Sequence, residues 1–232
     1  MHETQAQSPS KERAVQIPIG REMLHGDLVI PDSAIGTVLF AHGSGSGRHS
    51  PRNRYVAQVL QRAGLATVLM DLLTLEEEGF DAQTAALRFD IELLAGRLVE
   101  ATWWLVDQPQ TAQLPIGYFG ASTGAAAALV AAAELPDLVA AIVSRGGRPD
   151  LAGAALRQVV APTLLIVGSR DPVVLELNRK AFAELPGEKE LKIVPGATHL
   201  FEEPGALEAV AELAKNWFVL HLSRANNRSR AA

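Results

Sequence analysis

The sequence predicts an α/β fold, a mostly parallel sheet with helices on both faces. Short continuous apolar runs at 37–41, 66–70 and 162–168 read as strands buried on both sides, as central parallel strands are. Longer stretches carry apolar residues at helical spacing, among them Ile91, Leu94, Leu98, Ala101 and Leu105. Strand and helix then alternate along the chain, the order that builds a parallel sheet.

The elements follow in order. Residues 15–19 and 24–30 alternate apolar with polar and predict two strands joined by a turn at Gly20-Arg21-Glu22; Pro18 suits an edge. The run at 37–41 predicts a central strand, opening into a Gly/Ser-rich loop at 42–53. A helix over 53–63 closes at Gly64, and 66–71 is the next buried strand. The charge run Glu76-Glu77-Glu78-Gly79 is expected to be a solvated turn. A long helix spans 89–107, with Trp103 and Trp104 packed on the sheet, and Pro109 ends the segment. After a strand ending at 116–119 and an alanine-rich helix over 125–134, a strand covers 140–144, with Arg145 at its C-terminal end. The connection up to Pro162 has room for one small helix. A strand at 162–168, a helix at 174–185, a strand at 190–194 and a closing helix at 206–220 complete the chain. Residues 14–222 form the single domain, and 1–13 and 223–232 are expected to be flexible tails.

Composition narrows the function. The chain has 232 residues, a formal charge of −5 and no cysteine. The acidic balance and the lack of a basic patch argue against a nucleic-acid partner. The absence of cysteine excludes disulfides, thiolate metal sites and a cysteine nucleophile. No apolar run reaches the roughly 18 residues that span a bilayer, so no membrane partner is expected. No secretory signal is evident at the N-terminus, which makes the cytoplasm the expected compartment. A homodimer stays open. No His-x-x-x-His or carboxylate cluster supports a metal.

The chemistry centres on Gly120-Ala121-Ser122-Thr123-Gly124, set between a strand and a helix. A strand that reverses this tightly strains its apex residue and lifts the Ser122 hydroxyl out of the sheet at a helix N-terminus. A serine needs a base, and the base needs an orienting acid. His199, in the glycine-containing loop after the last strand, is the candidate base. Asp171, in an Asp-Pro turn after the preceding strand, is the candidate acid. Glu202 and Glu203 lie on the wrong side of the histidine loop. The backbone N–H groups of Thr123 and Ser44 are the candidate oxyanion donors. Arg48, His49 and Arg145 are candidate substrate contacts; for Arg145 a surface ion pair is the competing role. His42 is expected to brace its loop. That loop lacks the Gly-Lys-Ser/Thr of a phosphate loop, and Arg48 stands where a dinucleotide fingerprint needs its third glycine.

The elbow, Ser169-Arg170-Asp171-Pro172 and Gly196-Ala197-Thr198-His199 make the chain resemble an α/β-hydrolase over nearly its whole length. It is most similar to the small single-domain members of dienelactone hydrolase type, which the His42-Gly43-Ser44-Gly45 loop fits. The resemblance implies an eight-stranded sheet, esterase-like chemistry and no cofactor, with Ser122 as nucleophile, Asp171 as acid and His199 as base. Two departures stand out. Dienelactone hydrolases proper carry cysteine at the elbow, and the stretch 146–161 is too short for a helical cap, which implies an open site for small esters. The expected activity is hydrolysis of small carboxylic esters through an acyl-enzyme. A thioester or acyl-peptide hydrolase with the same triad and a non-catalytic binding scaffold are the alternatives.

Overall fold

The computed structural model describes residues 11–229. Strands β1 (Arg13–Ile19), β2 (Glu22–Val29), β3 (Thr37–Ala41), β4 (Ala66–Met70), β5 (Ile116–Ala121), β6 (Val139–Arg145), β7 (Thr163–Gly168) and β8 (Lys189–Val194) form one eight-stranded sheet. Their order is β1-β2-β4-β3-β5-β6-β7-β8. β1 pairs antiparallel with β2 and β2 with β4, and the remaining pairings are parallel. β1, with Pro18, is one edge of the sheet and β8 the other.

Every residue of β3, β4, β5 and β7 is buried, because helices cover both faces. α1 (Pro51–Arg62) and α6 (Ala206–Ser229) pack one face around Phe40, Phe119 and Phe218. α3 (Ile91–Asp107), α4 (Thr123–Glu134) and α5 (Pro172–Glu184) pack the other around Leu98, Tyr118 and Leu165. α4 buries nine of its twelve residues, nearly all alanine or glycine. Alanine gives a good helix with minimal girth, so this helix lies close behind the sheet. Among the described residues no helix is long and apolar enough to cross a membrane.

The structure corrects the sequence in four places. The expected turn at 76–79 is a helix, α2 (Leu75–Thr84). Its start is a capping box: Thr74 Oγ1 accepts the Glu77 N–H at 3.2 Å while the Glu77 carboxylate accepts the Thr74 N–H at 2.8 Å. Three glutamates in the first turn then favour the helix dipole. The helix expected from 89 begins at Ile91, capped by Asp90 and preceded by a 3₁₀ turn, Leu87–Phe89. Trp103 is half exposed instead of packed on the sheet, while Trp104 packs against the core edge. α6 continues to Ser229, so the stretch 223–229, expected as flexible tail, is helical; Leu222 just before it is fully buried. Of the expected N-terminal tail, residues 1–10 lie outside the described residues, as do 230–232, while Arg13 already belongs to β1, paired with Leu28.

Candidate active site

β3 lies between β4 and β5, so successive strands leave it in opposite directions and open a crevice at their C-terminal ends. The loop after β3 and the turn after β5 both face that crevice. Ser122 is the apex of the second, with φ +51° and ψ −121°. Positive φ in a serine is strained and persists only where the surroundings enforce it. Here the flanking glycines do so. A Cβ on Gly120 would stand 2.4 Å from Ala125 Cα, and one on Gly124 would stand 2.3 Å from the Ala41 carbonyl oxygen. The apex is also pinned by hydrogen bonds: the Ser122 N–H donates to the Arg145 carbonyl at 3.3 Å, and the Ser122 carbonyl accepts the Arg148 N–H at 3.0 Å.

Asp171 ends the turn after β7 and caps α5, its Oδ1 accepting the Val174 N–H at 3.4 Å. Its Oδ2 accepts the His199 Nδ1–H at 2.7 Å, which leaves the lone pair on Nε2. The histidine loop is anchored by Arg170 N–H to the Ala197 carbonyl at 2.9 Å and by the Glu203 carboxylate, which accepts the Thr198 N–H at 3.1 Å. Phe201, fully buried at φ +56°, is a second strained residue in this loop. Asp171 and His199 are thus brought together. Among the described residues no hydrogen bond joins the Ser122 hydroxyl to His199, though both lie against the end of β6: Ser122 bonds Arg145, and a Cβ on Gly146, the next residue, would stand 3.5 Å from His199 Nδ1. Hydrogen bonds of this kind are often long in the absence of substrate.

The Thr123 N–H lies in the first turn of α4, where no intrahelical acceptor exists. The Ser44 N–H donates to Thr123 Oγ1 at 3.1 Å, so the loop after β3 is tied to the elbow by the second expected oxyanion donor itself. His42 braces that loop. Its Nδ1–H donates to the Gly43 carbonyl and its Nε2 accepts the Leu72 N–H, both at 3.0 Å. Burial holds its affinity for a proton below that of an ordinary histidine, against opposing contributions from the Gly43 carbonyl and Asp71.

The three expected substrate contacts diverge. Arg48 is engaged by Asp71 through both its backbone N–H, at 2.8 Å, and its guanidinium. His49 is exposed, 3.9 Å from Asp27. Arg145 is buried and, among the described residues, makes no ion pair. It is 8% exposed, and its Nη1 has no hydrogen-bond partner among the described residues.

Sequence reasoning missed one wall of the crevice. A cavity of about 230 Å³ lies beside Ser44 and Thr123, closed by Glu78 and Arg88 of the segment around α2 and by Leu72 and Leu94. Asp81 secures that wall by accepting the Leu87 and Arg88 N–H groups and the Arg88 Nε–H at 2.6 Å. Burial, then the charge of Asp71, raises the Glu78 carboxyl above its usual range. The signal available was the Thr74-x-x-Glu77 spacing of a capping box.

The comparisons with known proteins agree with this fold. Two curated relatives from Mycobacterium tuberculosis strains, provisionally named phosphoribosyl transferases, are 62% identical over 217 residues. The match covers 94% of this chain and 48% of theirs, so the chain spans about half the length of those relatives. The crystal structure of a dienelactone hydrolase from Anabaena variabilis is 62% identical, with a TM-score of 0.91, covering 92% of this chain and 99% of that one. Est1E from Butyrivibrio proteoclasticus shares the fold at a TM-score of 0.75 and 16% identity, covering 90% of this chain and 99% of its own. The sequence model of the Dienelactone hydrolase family matches residues 28–222. The chain belongs to the dienelactone hydrolase family, as an α/β-hydrolase with serine at its elbow.

Proposed function

We propose that the protein hydrolyses small carboxylic esters with Ser122 as nucleophile, His199 as general base and Asp171 as the orienting acid. The observation that carries this is the strained elbow serine at the sheet's switch point, with β6 alone between its strand and the one leading to Asp171, which pairs with His199 at 2.7 Å. His199 Nε2 takes the Ser122 proton as Oγ attacks the acyl carbon. The alkoxide that forms is held by the Thr123 N–H, and by the Ser44 N–H once it turns from the Thr123 hydroxyl. The imidazolium, steadied by Asp171, gives its proton to the departing alcohol, and water repeats the cycle on the acyl-enzyme. The transferase name describes relatives about twice as long and is not carried to this domain.

The test is Ser122→Ala with a fluorescent phosphonate and p-nitrophenyl esters. The expected result is loss of labelling and a fall in turnover of about 10⁴-fold or more, with an unchanged melting temperature. Retained turnover would overturn the assignment. A folded wild type that takes no label would favour a binding scaffold. Matched ester, thioester and peptide substrates sort the acyl group's leaving partner.

A further inference from the structure

The two edges of the sheet are built differently. β1 carries Pro18, which has no N–H to offer a further strand. β8 carries no proline, and nothing pairs with its outer side among the described residues. On its inner side it bonds β7. The Glu188 carbonyl, just ahead of β8, accepts the Thr163 N–H at 2.9 Å, and the Val194 carbonyl accepts the Ser169 N–H at 3.0 Å. Backbone groups face alternate edges along a strand. Glu188, Glu190, Lys192 and Val194 therefore turn theirs to β7, while Lys189, Leu191 and Ile193 turn N–H and C=O outward.

The side chains alternate as well, between the two faces. Leu191 packs against the core under α3, α4 and α5, and Val194 joins the core under α1 and α6. Lys189 lies on the Leu191 side and folds back along α5, its Nζ donating to the Leu185 carbonyl and standing 5.0 Å from the Phe182 ring centre. Ile193, on that same side, is exposed. Glu190 and Lys192 lie on the Val194 side, half-exposed and joined to each other at 2.8 Å. An unpaired edge is a template for another strand, and lysines commonly guard it. Here one lysine is folded away and the other is matched by a glutamate two residues before it.

This pattern is its own complement. In an antiparallel pairing about a two-fold axis at Leu191, that residue would exchange both backbone bonds with its copy, and Lys189 both of its own with Ile193. Glu190 would then stand directly opposite Lys192 of the other copy, in the closer, non-hydrogen-bonded type of pair. An axis at Glu190 or at Lys192 sets like charges opposite each other instead. An axis between residues sets outward-facing backbone groups against inward-facing ones.

We propose that β8 is a homodimer interface, at which two copies of the chain join edge to edge about Leu191 into one continuous sheet, Glu190 of each paired with Lys192 of the other. The charge order selects a second copy over an unrelated strand, because it matches itself in this one register. The two copies run antiparallel, so their crevices open at opposite ends and neither completes the other's site. The inference stands apart from the ester-hydrolase reading.

The experiment is sedimentation velocity of the full chain from about 1 to 100 µM, a range suited to an interface of modest affinity. The wild type is expected to pass from monomer to dimer. Lys192→Glu and Glu190→Lys each set like charges opposite one another and should weaken the dimer by about tenfold or more, with little change in melting temperature. The double variant, Glu190→Lys with Lys192→Glu, should restore it. An equimolar mixture of the two single variants should dimerise at a concentration where neither does alone. Amide exchange by NMR reads the edge itself: the Leu191 and Ile193 amides should gain protection with concentration in the wild type and not in Lys192→Glu. A wild type that stays monomeric overturns the interface. So does a dimer indifferent to Lys192→Glu, or one whose Leu191 amide stays unprotected. A dimer weakened by both single variants and not restored by the double variant overturns the pairing of Glu190 with Lys192.

Discussion

Two segments border the crevice and are held in opposite ways. The turn after β5 is fixed by contact: Gly120 and Gly124 admit no side chain, and the helix behind them is almost wholly buried alanine and glycine. The loop after β3 is fixed by charge and hydrogen bonds. Arg48 is clasped by Asp71, Asp27 lies within 3.9 Å of Arg48 and His49 and within 3.4 Å of Arg54, and His42 ties the loop to Leu72. The strained backbone thus sits where packing is close, and the segment whose Ser44 N–H reaches the Thr123 hydroxyl sits on a polar scaffold. A close-packed turn resists pH and salt and fails on addition of one methyl. A loop held by ion pairs and hydrogen bonds answers instead to loss of a charge.

The largest break in that contrast is Gly124→Ala. Its methyl would stand 2.3 and 2.4 Å from the Ala41 and His42 carbonyl oxygens, which cannot move without displacing β3. Overpacking against backbone at this separation is expected to cost about 3 kcal/mol or more, seen as a lower urea midpoint together with lost phosphonate labelling. Full labelling at wild-type stability would show that the elbow tolerates a wider turn.

Asp71→Asn tests the polar scaffold. It keeps the shape but removes the charge that holds Arg48, and is expected to cost about 2 kcal/mol. The fold should survive, with phosphonate labelling slowed because the Ser44 loop is less well held. Labelling at the wild-type rate would mean that the loop is positioned without the ion pair.

The smallest expected effect is the pH response of His42. Its proton affinity in the folded protein lies below the ordinary 6.5, so the unfolded chain binds the proton more readily. Stability should be full above 6.5 and fall as pH drops below it, at no more than about 1.4 kcal/mol per pH unit for each such histidine. His221, lowered chiefly by burial, acts in the same direction. Melting curves between neutral pH and pH 5 should therefore slope downward, and His42→Gln should flatten His42's share of the slope. An equal slope in that variant would place the sensitivity elsewhere.

Much of the fold was legible because its signals are local. Apolar runs long enough for one strand, Pro18 at the edge, and alanine-rich or periodic helices gave the element order without reference to any partner. The elbow was legible because glycines two residues either side of Ser122 are a local steric requirement. Asp171 and His199 were legible as strand-end residues in order along the chain, and their hydrogen bond is a fact of the structure. α2 was missed because Glu76, Glu77 and Glu78 look like a solvated charge run until Thr74 and Glu77 cap one another.

The sequence by itself therefore determined the layered α/β architecture, the strained serine turn and the strand ends at which polar residues gather. Each follows from backbone geometry and periodicity within a few residues. Only the tertiary structure decided partners. It gave Arg48 to Asp71, 23 positions away, and the Ser44 N–H to the Thr123 hydroxyl, 79 positions away. It also enclosed Arg145 with its Nη1 unbonded among the described residues. Whether a charge is paired, exposed or stranded depends on what non-neighbouring segments bring beside it, and no local pattern encodes that.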